Sequence, residues 1–123
     1  MSGVLVDACG WVALVEARIN LDIELQRLFG RSELLLTANV LGELRRLQEV
    51  RPQRRLLLEL LEARAEMLES AATESHADDE LLQLACEHGW AVLTVDRDLK
   101  QRLHDANRPV VQVVAGSRLE LIE

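Results

Sequence analysis

Between His76 and Lys100 the chain reads HADDELLQLACEHGWAVLTVDRDLK, which sets four aspartates in two pairs, Asp78/Asp79 and Asp96/Asp98, around one helix and one strand. Leu81, Leu82, Leu84, Ala85 and His88 recur at helical spacing, Gly89 is a good helix stop, and Ala91 to Val95 is a short apolar β-branched run. The order is helix, turn, buried strand, acid. Asp78 falls in the first turn of the helix, where negative charge suits the dipole, and Asp96 falls just past the carboxyl end of the strand. Both acids therefore face one edge of a sheet.

The same arrangement opens the chain. Gly3-Val4-Leu5-Val6 suits a fully buried strand, and Asp7 follows at once. Trp11 to Ala17 and Leu21 to Phe29 read as helices, the second stopped near Gly30. Leu34 to Thr37 reads as a second buried strand, although its three leucines could equally begin a helix. Thr37 or Asn39 caps a helix from Val40 to Glu49 whose stripe is Val40, Leu41, Leu44 and Leu47. Arg51 to Leu68 is expected as one long helix, with Pro52 in its first turn and Leu56, Leu57, Leu60 and Leu61 buried. Residues 69–75 are small and polar, a connection. A helix through Leu99 and Leu103 begins near Asp98 and ends at Asn107-Arg108-Pro109. Val110 to Val114 is a strand, 115–117 turn, and Leu119 to Ile122 is a short edge strand. This order predicts an α/β sandwich with a mainly parallel central sheet flanked by helices.

A chain of 123 residues is expected to be one domain, and no internal repeat or second domain is visible. Its 21 acidic and 14 basic residues give a net charge of -7, so bulk attraction for a polyanion is excluded and any nucleic-acid contact must be local. With Trp11, Phe29 and Trp90 the only aromatics, a row of base-stacking rings is excluded too. Cys9 and Cys86 form no CxxC and read as reduced, buried thiols. The apolar run from Val4 to Val15 is broken by Asp7 and no basic residue precedes it, and nothing approaches a membrane span, so a cytoplasmic protein is expected. His76, His88 and His104 lack zinc-ligand spacing.

Glu43 lies three positions from Val40 and four from Leu47, so it borders the buried stripe of its helix and needs a partner or a metal. Asp7, Glu43, Asp78 and Asp96 thus come from four separate segments, and the topology permits one cluster. Carboxylates packed that closely repel one another unless a hard divalent cation neutralises them. Magnesium or manganese suits such a site.

Val6-Asp7, Gly42-Glu43-Leu44, the run Ala77-Asp78-Asp79-Glu80-Leu81-Leu82 and the run Leu93-Thr94-Val95-Asp96-Arg97-Asp98-Leu99-Lys100 resemble the four acidic motifs of PIN-domain ribonucleases. The resemblance spans nearly the whole chain, 1–123. It is closest to the archaeal and eukaryotic rRNA-processing branch, and more distant from the VapC-like toxin ribonucleases of toxin–antitoxin pairs. It implies a PIN-like three-layer sandwich and metal-dependent hydrolysis of single-stranded or loop RNA. Asp7, Glu43, Asp78 and Asp96 would be catalytic and metal-binding, Asp98 a fifth ligand, and Thr94 a support for Asp96 or the attacking water. Ala8-Cys9 departs from the small hydroxyl or asparagine that many members carry after the first acid, which removes a supporting hydrogen bond. Partners implied are an RNA substrate and, by branch, an antitoxin or a ribosome-assembly factor; the leucine-rich helices could support a homodimer.

Each acid also has a plainer reading, since carboxylates after strands often only cap helices, and Asp79 reads best as a cap or a solvent-facing residue. Arg45, Arg46, Arg54 and Arg55, with Arg97 and Lys100 beside the second acid pair, are candidates for a local phosphate track. The alternative for the first four is a solvated helix face partnered by Glu49, Glu59 and Glu62. Two other function classes stay open: a phosphohydrolase using Asp7 as nucleophile, which would want a second acid where Cys9 stands, and a non-catalytic binding module.

Overall fold

The computed structural model describes residues 2–68, 77–115 and 117–123. The expected connection at 69–75, together with His76 and Gly116, lies outside them. In chain order the elements are β1 (Ser2–Val6), α1 (Ala8–Glu16), α2 (Leu21–Phe29), β2 (Ser32–Thr37), α3 (Ala38–Val50), α4 (Leu58–Arg64), β3 (Glu66–Leu68), α5 (Ala77–His88), β4 (Ala91–Leu93), α6 (Arg97–Asp105), β5 (Val110–Val114) and β6 (Arg118–Ile122).

The strands form one sheet in the order β3-β2-β1-β4-β5-β6, parallel throughout except for antiparallel β6. From β1 the chain moves one way to β2, and from β4 the other way to β5. With right-handed crossovers, α1 packed on α3 and α5 packed on α6 fall on opposite faces, giving three layers. The crevice between the carboxyl ends of β1 and β4 is the switch point, where ligands of open α/β sheets bind.

The centre of the sheet is the core: Val4, Leu5, Val6, Leu36, Val92 and Leu93 are all essentially inaccessible. Parallel strands covered on both faces need such uninterrupted apolar runs. At the edge, the Glu24 carboxylate on α2 accepts from the backbone N–H of Leu119 on β6 at 2.8 Å and pairs with Arg27 at 3.0 Å. Arg27 holds Glu24 below its ordinary value.

The expected long helix from Arg51 to Leu68 does not form. The side chain of Gln48 instead satisfies the turn that follows α3: its amide donates to the carbonyls of Arg51 and Arg54 and its oxygen accepts from Leu56 N–H. The buried Trp11 indole donates to the Leu56 carbonyl at 2.7 Å, and Leu57 takes a left-handed conformation with φ of 54°. That residue resets the helical face, so Leu56 and Leu61 are buried while Leu57 and Leu60 are about half exposed. Leu47, expected in the stripe of α3, is exposed as well, and the last residues of the expected helix pair with β2 as β3. Cys86 is exposed, not buried. Among the described residues no helix is long and apolar enough to cross a membrane.

Candidate functional site

Asp7 leaves β1 in extended conformation and caps α1, its Oδ1 accepting from Ala8 N–H at 2.8 Å. The helix thus starts at Ala8, three residues earlier than its apolar spacing suggests, because the acid itself is the start signal. Asp96 does the same for α6, Oδ1 accepting from Leu99 N–H at 3.0 Å. Capping and site roles therefore coexist: each cap uses one oxygen, and a carboxylate offers about four lone-pair sites.

Thr94 ties the two acids together. Fully buried, it donates its hydroxyl to Asp7 Oδ2 at 2.8 Å and accepts from Asp96 N–H at 3.1 Å. The Cys9 thiol donates to the same Asp7 oxygen at 3.0 Å and lies 3.3 Å from the Thr94 hydroxyl. Burial, with Asp7 adding to it, pushes this thiol up to about 11, so it stays protonated and able to donate. Cys9 therefore supplies the hydrogen bond that its replacement of a hydroxyl had seemed to remove. The one signal in the sequence is position: Cys9 stands two residues past the capping acid, inside the first turn of the helix that Asp7 begins.

Glu43 on α3 and Asp78 on α5 are half-buried and line an open cleft of about 640 Å³, whose lining does not include Asp7 or Asp96. Burial, then the charges of Asp7 and Asp78, hold Glu43 above the ordinary carboxylate value against the pull of Arg46. Burial, then Asp7 and Asp96, do the same for Asp78 against Arg102. Glu43 and Asp78 thus both feel the charge of Asp7, and Asp78 that of Asp96 as well, which is the signature of a shared negative field.

The cleft wall also holds Asn39, Asp79, Asp98 and Arg102. Asn39 donates to Glu80 at 3.2 Å, and Arg102 pairs with Asp79 at 2.7 Å. Neither Asn39 nor Arg102 was singled out from sequence as a site residue. Yet Asn39 is four residues before Glu43 and Arg102 four after Asp98, so each shares a helix face with an acid. Of the candidate phosphate-binding residues, Arg46 alone lines the cleft. Arg45 pairs with Glu62 and Arg54 with Glu16, while Arg55 is exposed beyond α3. Arg97 and Lys100 line a different groove, between α6 and β5.

A donor set of hard carboxylate oxygens with unrelieved mutual repulsion fits a divalent cation such as magnesium or manganese. Among the described residues, however, no three His, Cys, Asp or Glu side chains stand close enough to form a ready cage. Glu43, Asp78, Asp79 and Asp98 line the cleft without closing on one point.

A family model described as a PIN like domain matches residues 4–115 of the chain. Among solved structures, the chain is similar to that of the PIN domain endonuclease Utp24, at 23% identity and a TM-score of 0.81, over 97% of this chain and 90% of that one. That likeness concerns the fold. No curated protein matches.

Proposed function

The chain belongs to the PIN-like domain family, and from that premise we propose that it is a divalent-metal-dependent endoribonuclease cutting single-stranded or loop RNA in RNA maturation or quality control. The observation that carries this reading is the gathering of four carboxylates from four segments toward the switch-point crevice, where burial and then the charges of the other acids raise Glu43 and Asp78. Likeness in fold to an endonuclease supports it.

Magnesium or manganese held by Asp7, Glu43, Asp78 and Asp96, with Asp98 in reach on the cleft wall, would supply a water of lowered pKa and stabilise the leaving oxygen of a phosphodiester. The protein's own part is positioning. Ala8 N–H, the Thr94 hydroxyl and the Cys9 thiol fix Asp7 in one rotamer, and Thr94 fixes the backbone of Asp96. Arg46 and Arg102, on the cleft wall, can hold non-bridging phosphate oxygens without adding to the acids' repulsion.

The test is cleavage of a labelled single-stranded RNA with manganese or magnesium, beside Asp96→Asn and an EDTA control. Cleavage lost in both controls supports the nuclease. A folded protein that neither cuts nor is stabilised by manganese favours a second reading, a PIN-fold binding module, for which the absence of a closed carboxylate cage among the described residues speaks.

A further inference from the structure

Away from the acid cleft, α6 presents Arg97, Lys100 and His104 to a groove of about 400 Å³, which Arg108 and the apolar Val110 and Ile122 also line. Spacings of three and four place the first three on one helix face, over a run of about 10 Å. Six of the chain's arginines have a carboxylate within 4.0 Å, whereas Arg97, Lys100 and Arg108 have none among the described residues. Lys100 instead donates to the Gln112 amide at 3.0 Å, and nearby Asp105 is engaged by Gln101. Arg18, Arg31, Arg46, Arg51 and Arg55 also lack such a partner among the described residues, but Arg97, Lys100 and Arg108 are three that gather around one groove. Glu123 is the one acid on its lining.

We propose that this groove carries the phosphates of the RNA strand as it leaves the acid cleft, a reading that rests on the proposed nuclease function. Arg97 stands between Asp96 and Asp98, so the basic face begins where the acids end. Phosphates cannot rest on the acids without a cation, and guanidinium and ammonium groups just beyond them hold the strand in register. The apolar lining and the Gln112 amide accept a base without a stacking ring, which gives binding with little sequence preference. Beyond the cleft, where Arg46 stands, the phosphate track thus runs along α6 and not along Arg45, Arg54 and Arg55.

Anisotropy of labelled oligouridine on metal-free protein, across a salt series, tests the groove in wild type, Lys100→Ala/Arg108→Ala and Lys100→Arg/Arg108→Lys. The alanine pair should bind about tenfold more weakly, and its salt slope should fall by about 1.4, roughly 0.7 per lost phosphate contact. The conservative pair should match wild type. Equal affinity and slope in all three overturn the proposal, as does groove-dependent binding of oligoglutamate in place of oligouridine, which would make the occupant an acidic protein. Should the alanine pair fail to fold, Arg108→Ala alone should show about half the change in slope. Cleavage assays separate the two readings. A wild type that binds through the groove but cuts nothing sinks the nuclease alone, and one that cuts while the alanine pair keeps its KM on long RNA sinks the groove alone.

Discussion

Thr94→Val removes one oxygen from the centre of the site and leaves its shape intact. The lost hydroxyl donates to a buried carboxylate at 2.8 Å, a bond to a charged group that contributes about 2 kcal/mol, and accepts from Asp96 N–H at 3.1 Å, which contributes about 1 kcal/mol. Valine fills the same volume, so no cavity adds to the total of about 3 kcal/mol. A chain of this length unfolds with an entropy near 0.26 kcal/mol/K, so the melting temperature should fall by about 12 °C. Calorimetry in EDTA measures it without a contribution from bound cation. Thr94→Ser keeps the hydroxyl and should recover most of the loss. In an Asp7→Asn background the same valine should cost about 1 kcal/mol less, because the acceptor is no longer charged. A Thr94→Val melt within about 2 °C of wild type would show that the hydroxyl does not hold Asp7, and the positioning argument would fall with it.

Asp96→Asn should lower cleavage by about a hundredfold or more with little change in melting temperature, since asparagine caps α6 as well as aspartate does; a large loss of stability would mean the residue is chiefly structural. Manganese at about a hundred times its Kd should stabilise the protein by about 2.7 kcal/mol, and by less in Glu43→Gln, as read by thermal shift with and without EDTA. Glu43 and Asp78 lie above the ordinary carboxylate value in the fold, so their repulsion weighs fully on the metal-free protein above those raised values. It is relieved as pH falls through them toward about 4, so wild type should gain stability relative to Glu43→Gln over that window, and the opposite trend would refute the shared field. Gly10→Ala should destabilise by about 3 kcal/mol or prevent folding, because a Cβ there would stand 2.3 Å from the Leu93 carbonyl oxygen, and backbone cannot step aside; a melt near wild type would mean that α1 and β4 are free to separate.

The acids were legible because each stands at a boundary that local chemistry marks. Val4 to Val6 and Ala91 to Leu93 read as buried strands, and an aspartate just beyond each caps the next helix at the carboxyl end of the sheet. Thr94 was legible as a support for Asp96, but its stronger bond is to Asp7, 87 residues away, which no local pattern encodes. The segment after Arg51 misled for the same reason. Its leucines keep helical spacing, and two contacts outside that spacing go with the break: the distant Trp11 indole on the Leu56 carbonyl, and the nearby Gln48 amide taking the turn's backbone groups. Cys9 read as a loss because thiols are weak donors in isolation; burial, which keeps the proton on sulfur, makes it serve.

The central position of β1 also governs when the site can exist. β1 pairs with β2 on one side and with β4 on the other, and Asp7 has neither its Thr94 partner nor Asp96 as a neighbour until β4 is in place. Synthesis delivers Asp96 some ninety residues after Asp7, at about 5 to 20 residues per second. A nascent chain therefore spends several seconds with its first acid and no site. The strand order thus makes the acid site one of the last features that the folding chain completes.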